Sequence, residues 1–457
     1  MSRLLLLSIV LLTACATVSG QTYTVLHNFG GGAGDPGGLW VDASISQGLG
    51  GDLFTTSPGS QTGVPAAFRI GPLGSLHILH QWGSTSSEPL SGLILARDSG
   101  YYGITRSGGV DKLGTVFRLS GSGSDTTLHE FTGGSDGAGA WSVMQSQEGD
   151  FYVSTEGRGG SAGDDFGSIL RMTSDGNITL LHAFSGSDGS GPLILVQGTD
   201  FRFYGVTANG GPSNVGTIFR ISATGDFQVL HNFDNTHGGW PQAGLMQASD
   251  GNFYGTTSQG GATGSGVLFR ITPSGTYTVL HDFLNGPDGG EPQGRLVQAN
   301  DGFLYGATPG GGNTGFGAIF RSTLDGVVTG LHSFGGAGGY DACSQFMQRT
   351  DGKFYGGTTA GGKNNQGVFY SFDLGLPPFV TYLPTYGRAG AVVQILGQGF
   401  SNTTQVSFNG IPASTVSVIY PTFLKATVPD GAATGPITVT TDGGVLTSNK
   451  VFVVHAN

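Results

Sequence analysis

The chain has 457 residues, of which 86 are glycine, and it is 37% hydrophobic, 10% aromatic and only 11% charged. So many aromatics with so little charge exclude a disordered polymer, and the glycine surplus points to short strands joined by tight turns. A net charge of -11 without any basic run excludes a nucleic-acid partner, because phosphate binding needs a concentrated basic surface.

The first element, residues 1–20, reads as an export signal. Arg3 precedes an apolar stretch over residues 4–12, too short for a bilayer span of roughly 20 residues. Leu12-Thr13-Ala14-Cys15 matches a bacterial lipobox, which would make Cys15 the lipid-attachment site and the only contact with a membrane. The alternative is an ordinary signal cut after Val18-Ser19-Gly20. Both place the protein outside the cytoplasm, either in the cell envelope or secreted. Cys343 is the other cysteine, so no intramolecular disulfide is expected and Cys343 is read as a small buried apolar residue.

From residue 21 to 375 the chain repeats with a period of about 50 residues. A strand ending in Tyr-Gly recurs as YYGIT (Tyr101), FYVST (Phe151), FYGVT (Phe203), FYGTT (Phe253), LYGAT (Leu304) and FYGGT (Phe354), after a degenerate LFTTS at Leu53. A strand with this arginine follows six copies, at Arg69, Arg118, Arg171, Arg220, Arg270 and Arg321, and the divergent VFYS at Val368 follows the seventh. Next comes a Leu-His strand, its histidines being His27, His80, His129, His182, His231, His281 and His332. An apolar segment such as GLMQAS precedes each Tyr-Gly strand. Four strands per unit, joined by Asp-Gly hairpins, predict an all-β fold, a seven-bladed β-propeller. The first unit opens on a fourth strand and the last lacks one. Residues 22–29 are therefore expected to complete the seventh blade and close the ring; an open array is the alternative.

Past residue 375 the texture changes. Segments VVQIL, QVSFN and ITVTT, spaced by Gly, Pro and Asn turns, predict a small antiparallel β-sandwich over residues 376–457. This stretch resembles the IPT/TIG immunoglobulin-like family through Leu383-Pro384, Gly387, Gly390, Gly397-Gln398-Gly399-Phe400, Val406-Ser407-Phe408, Val428-Pro429 and Val451-Phe452-Val453. The resemblance implies an Ig-like spacer or interaction domain of an exported bacterial protein. The repeat, DGNFYGTTSQGG followed by GVLFRITPSG, resembles the bacterial GloVer tandem repeat, weakest in the first unit. That resemblance implies export and surface attachment by one of several anchors, without an assigned activity.

Candidate chemical residues divide into those that repeat and those that do not. Seven histidines spread around a ring cannot converge on one metal, whose ligands sit within about 2.1 Å. They are read as structural hydrogen-bonding groups reaching a neighbouring strand or blade, and the Phe-Arg arginines as inter-blade donors. Gly310-Gly311-Gly312-Asn313-Thr314-Gly315 matches GxGxxG, but a strand follows it rather than a phosphate-binding helix, so no dinucleotide is expected. The GSDG loops at 134–137 and 186–189 carry a weaker suggestion of calcium; otherwise no cofactor or metal is indicated. In a propeller the loops joining strands two and three share a face with the inter-blade loops, and here both sets are long. Residues on that face that break the repeat are the candidate ligand-binding set. They are Trp141, His237, Trp240, Tyr340 and Asp341 in inter-blade loops, with Glu156 and Arg158 in blade three. Aromatic rings beside carboxylates suit stacking on sugars. The expectation is a monomeric, non-catalytic binding or scaffold protein with an extracellular partner, a polysaccharide or surface protein. A secreted propeller lyase or hydrolase and a purely structural surface component are the alternatives.

Overall fold

The computed structural model describes residues 20–32, 35–39, 43–59, 64–83, 88–157, 166–342, 344–403 and 405–455. Cys15, Arg158 and Cys343 lie outside the described residues. Up to Asp373 the described chain folds into seven successive antiparallel sheets, six of four strands and one of five, arranged as propeller blades. Blade five is representative, with strands Met246–Gln247, Phe253–Thr256, Val267–Ile271 and Tyr277–Asp282 from the axis outward.

Each blade is sandwiched between two others, so its middle strands are buried on both faces and do not alternate; in Val267–Ile271 only Arg270 is not fully buried. The tyrosine of one blade stacks on the second-strand aromatic of the next: Tyr204 on Phe253 at 4.0 Å, Tyr152 on Phe203 at 3.8 Å. The glycine after that tyrosine is there because the Phe-Arg phenylalanine fills its space. A Cβ on Gly255 would lie 2.5 Å from Phe269 Cζ. In the hairpin, Gly251 takes φ +82°, and Asp250 accepts the Asn252 N–H and the Tyr254 hydroxyl, the latter at 2.8 Å.

The ring closes as its two ends require. Thr22–Asn28 pairs antiparallel with Val368–Asp373, from Thr22 opposite Asp373 to Asn28 opposite Val368. Phe29, just beyond, is buried against blade one through Phe68. Around the axis the blades are also tied by glutamines. The first-strand glutamine of each blade except the second accepts a backbone N–H from the preceding blade's hairpin: Arg97 to Gln145, Gln147 to Gln197, Thr199 to Gln247, Ser249 to Gln298, Asn300 to Gln348 and, across the closure, Thr350 to Gln47. Leu95 occupies this place in blade two.

The C-terminal segment forms two further sheets. One orders Thr381–Leu383, Val392–Leu396, Phe423–Thr427 and Val416–Tyr420; the other orders Tyr386–Gly387, Gly444–Val454, Gly435–Thr441, Gln405–Phe408 and Ile411–Pro412. Val393, Ile395, Phe408, Leu424, Val439 and Phe452 from both sheets share one core.

Candidate functional site

The propeller has two unlike faces. On one, inter-blade loops pair with the loops between strands two and three, as in Gly239 with Gln259, Gly290 with Gly310 and Tyr340 with Ala360. Gly260 shows why glycine fills these loops: its φ is +81°, and a Cβ would meet the Asn235 carbonyl oxygen at 2.3 Å.

The other face carries the tight hairpins, and the C-terminal domain lies across it. Gln394 donates to the Arg97 carbonyl at 2.5 Å, Thr422 to Leu49 at 2.6 Å and Gln398 to the Thr350 hydroxyl at 2.9 Å. Asn300 reaches Pro377, and Phe201 meets Tyr386 edge-on at 5.5 Å. Hairpins of blades one, two, four, six and seven thus touch the domain. Between it and the inner strands lies a cavity of about 410 Å³. Its wall includes belt glutamines Gln47, Gln247, Gln298 and Gln348, the cations Arg295 and Lys450 and, among the described residues, no carboxylate. Burial, with Arg295 adding to it, pushes the Lys450 ammonium down from its ordinary value.

None of the sequence-predicted site residues lines this cavity. Trp141 lies in the inner strand Ala140–Gln145 rather than in an inter-blade loop, because pairing with the second strand already begins at Ala140, opposite Thr155. Trp141 and Trp240 are half-buried against the cluster containing Leu193, Val206 and Val215, and the Trp141 indole N–H is buried without a partner. Glu156 pairs with Arg106 of the preceding blade at 2.6 Å. His237 is exposed and bonded to Asp234 at 2.9 Å. Tyr340 donates to Asn365 at 3.1 Å, and Asp341 accepts from Thr359 at 2.5 Å. The two tryptophans therefore share one cluster, while Tyr340 and Asp341 stand two blades further round.

The repeated groups are partnered more often within their own blade than across to the next. Four histidines bond an aspartate of the loop after their own strand: His27 to Asp35 at 3.0 Å, His129 to Asp136 at 3.1 Å, His182 to Asp188 at 3.0 Å and His281 to Asp288 at 2.8 Å. His80 stands 4.0 Å from Asp125 of the next blade, and His332 stacks on Tyr23 at 4.2 Å. His231 stacks on Tyr277 at 3.8 Å; its Nε2 is buried without a partner, and burial pushes its ring down to about 4. Asp136 and Asp188 belong to the two GSDG loops considered for calcium, where each carboxylate is engaged by a histidine and by loop donors. Burial alone would raise the Asp136 carboxyl, but hydrogen bonds from Thr132 and His129 outweigh it and hold it below the usual range. Among the described residues, no group of three or more His, Cys, Asp or Glu side chains is placed to hold a metal ion.

The arginines also bond mostly within their own blade: Arg69 to Asp52 at 2.7 Å, and Arg118 to Asp98 and Arg171 to Asp150, each at 2.8 Å. Only Arg220, donating to Pro273 at 3.2 Å, follows the inter-blade expectation among the bonds described. Sequence reasoning missed the histidine–aspartate pairs and the glutamine belt. The signals were an aspartate six to eight residues after the histidine, and a glutamine at one fixed place in six units.

Fold and site together define a β-propeller with a second all-β domain across one mouth of its channel. The chain belongs to the Gloeobacter/Verrucomicrobia repeat family, whose model matches residues 15–198 and 142–370. No curated protein matches it. Among solved structures, it resembles a fungal alcohol oxidase of the AA5 family in complex with copper, at 14% identity and a TM-score of 0.52, over 92% of this chain and 98% of that one. It also resembles the extracellular domain described as that of a hybrid two-component system from B. thetaiotaomicron, at 14% identity and a TM-score of 0.50, over 92% of this chain. The chain spans about half, 53%, of that second structure's length. At such identities the likeness is one of fold.

Proposed function

We propose that the protein is an exported, envelope-associated binding and scaffold protein, with the propeller as its recognition platform and the C-terminal sandwich, of IPT/TIG immunoglobulin-like type, as a docked spacer. The observation that carries this reading is the polarity of the two faces. The C-terminal domain covers the hairpin face, and Thr22 starts the closing strand beside Asp373, where the chain leaves the propeller for that domain. A lipid anchor at Cys15 would then emerge on the covered side, and the long loops would point away from the membrane. The half-buried tryptophans and exposed His237 of the loop face suit a polysaccharide or surface-protein partner, and the loop residues Glu156, Asp341 and His237 are each already bonded.

Two measurements test the reading. Cys15→Ser is expected to release the protein from the membrane fraction, and retention of the variant would remove the lipid anchor from the proposal. A glycan array probed with the leaderless protein is expected to show binding that weakens in His237→Ala and Tyr340→Ala. Turnover of a bound glycan would replace recognition by catalysis, and binding indifferent to both substitutions would move the partner off the loop face.

A further inference from the structure

The cavity beneath the C-terminal domain lies at the opposite end of the channel from the proposed recognition face, and its chemistry is distinct. Lys450 lines it from the strand Gly444–Val454 and Arg295 from the propeller. The Lys450 side chain keeps substantial accessible surface, yet its ammonium lies deep among protein atoms. The side chain is part of the cavity wall. Among the described residues its ammonium has no carboxylate within ion-pair distance, and the nearby guanidinium of Arg295 repels it. A cation on a cavity wall without a counter-charge is disfavoured to the extent that protein atoms replace its water, and a second cation on the same wall adds repulsion. Proteins keep such an arrangement where a bound anion supplies the missing charge.

The rest of the wall narrows the class of anion. Ile45, Leu95, Phe346, Met347, Phe379 and Leu396 border the same space, a surface that suits carbon rather than a fully hydrated phosphate. Gln345 adds an amide to the lining. A volume of about 410 Å³ falls among those of small-molecule pockets, which run from roughly 300 to 1,000 Å³. We propose that this cavity binds a small organic carboxylate, its carboxyl group between Lys450 and Arg295 and its carbon body against the apolar wall. Because propeller and C-terminal domain each contribute one cation, the bound molecule also fastens the two together.

The test uses the purified full-length protein with hexanoate, benzoate and inorganic phosphate, and with hexanamide and benzamide as neutral counterparts. Binding is read by calorimetry and by the thermal unfolding midpoint. A carboxylate is expected to bind saturably and raise the midpoint where its amide does not. Lys450→Gln is expected to weaken that binding by about tenfold or more, and Lys450→Arg to retain it. Lys450→Met, which removes the unpaired charge and keeps an apolar side chain, is expected to unfold no earlier than the parent protein without ligand and to gain nothing from the carboxylate. The proposal is overturned if carboxylates and amides are indistinguishable, if phosphate alone binds, or if Lys450→Gln binds as the parent does. Loss of loop-face glycan binding in the same Lys450 variants would instead show that the two sites are one, and would overturn the separate assignment.

Discussion

At the scale of the residue, the Tyr-Gly glycine and the Phe-Arg phenylalanine are one unit. Gly255 pairs with Phe269, Gly205 with Phe219 and Gly306 with Phe320, each time with the ring over the missing side chain. Blade three replaces both members at once: Val153 stands opposite Leu170, a larger residue against a smaller one. Gly255→Val alone is therefore expected to destabilise the propeller by about 1–3 kcal/mol through overpacking. Adding Phe269→Leu is expected to recover part of that loss, a coupling of about 0.5–3 kcal/mol between contacting residues. Denaturant midpoints of the two single variants and the double variant measure it, and strict additivity would show that the two residues do not share space. His231 supplies a second case. Its loop aspartate, Asp234, comes only three residues later and bonds His237 instead, leaving the half-buried His231 ring, its Nε2 buried, to stack on Tyr277. Burial pushes that ring from an ordinary 6.5 to about 4, so the unfolded chain takes up its proton first as pH falls. Stability from this group is complete above about pH 6.5 and is lost as pH drops toward 4. With a discount for the ring's partial exposure, the loss is about 1–2 kcal/mol. His231→Phe is expected to flatten that part of the stability–pH curve, and an unchanged slope between pH 6.5 and 4 would show that His231 does not carry it.

At the scale of the element, the glutamine belt does what sheet pairing cannot, since neighbouring blades share no strand. Gln298 accepts the Ser249 N–H at 2.8 Å and donates to Gly302 within its own hairpin at 2.9 Å, so one side chain joins blade five to blade six. Gln298→Leu leaves the exposed Ser249 N–H and Gly302 carbonyl to water and is expected to cost about 0.5–1.5 kcal/mol. Thermal unfolding measures the loss, and hydrogen exchange at Ser249 is expected to quicken. A midpoint within error of the parent would mean that water replaces the amide at no cost. The blades themselves are legible in the sequence because the same signals recur: Asp-Gly marks the hairpin in blades five, six and seven, Tyr-Gly the stacked second strand in five blades, and the paired end fragments the closure. Partners of the repeated polar groups are less legible. Asp136 lies seven residues after His129 but Asp188 only six after His182, and such drifting spacing hides the pair from a periodic reading. Trp141 is misplaced in sequence for a related reason: blade three extends its inner strand to Ala140–Gln145 while blade five has only Met246–Gln247. The cavity is not legible at all. Lys450 sits in an ordinary alternating strand, and only the docking of that strand's domain over the channel brings it near Arg295.

At the scale of the whole molecule, ring closure is the contact on which the rest depends, since it joins the chain's first strand to its last blade. The strand Val368–Asp373 is buried along nearly its whole length, flanked on one side by Phe354–Gly357 and on the other only by Thr22–Asn28. Removing the closing strand would expose that row of unpaired N–H and C=O groups, together with the apolar faces of Phe369, Tyr370 and Phe372. An open, apolar edge of this kind recruits other strands. A chain starting after Phe29 is therefore expected to unfold at a lower temperature and to self-associate, as read by sedimentation. The gap also has a sequence-defined occupant. A synthetic peptide with the sequence TYTVLHNF, added in excess, is expected to enter as a strand, restoring monomeric sedimentation and part of the lost thermal stability. A peptide with His27 and Val25 exchanged for lysine is expected to fail, because Val25 packs into the core around Phe372 and His27 bonds Asp35 at 3.0 Å. The outcome against closure is a truncated chain that stays monomeric, with its unfolding midpoint unchanged and no response to either peptide. In that case blade seven would hold on three strands, and the first strand would be an accessory rather than the clasp of the ring.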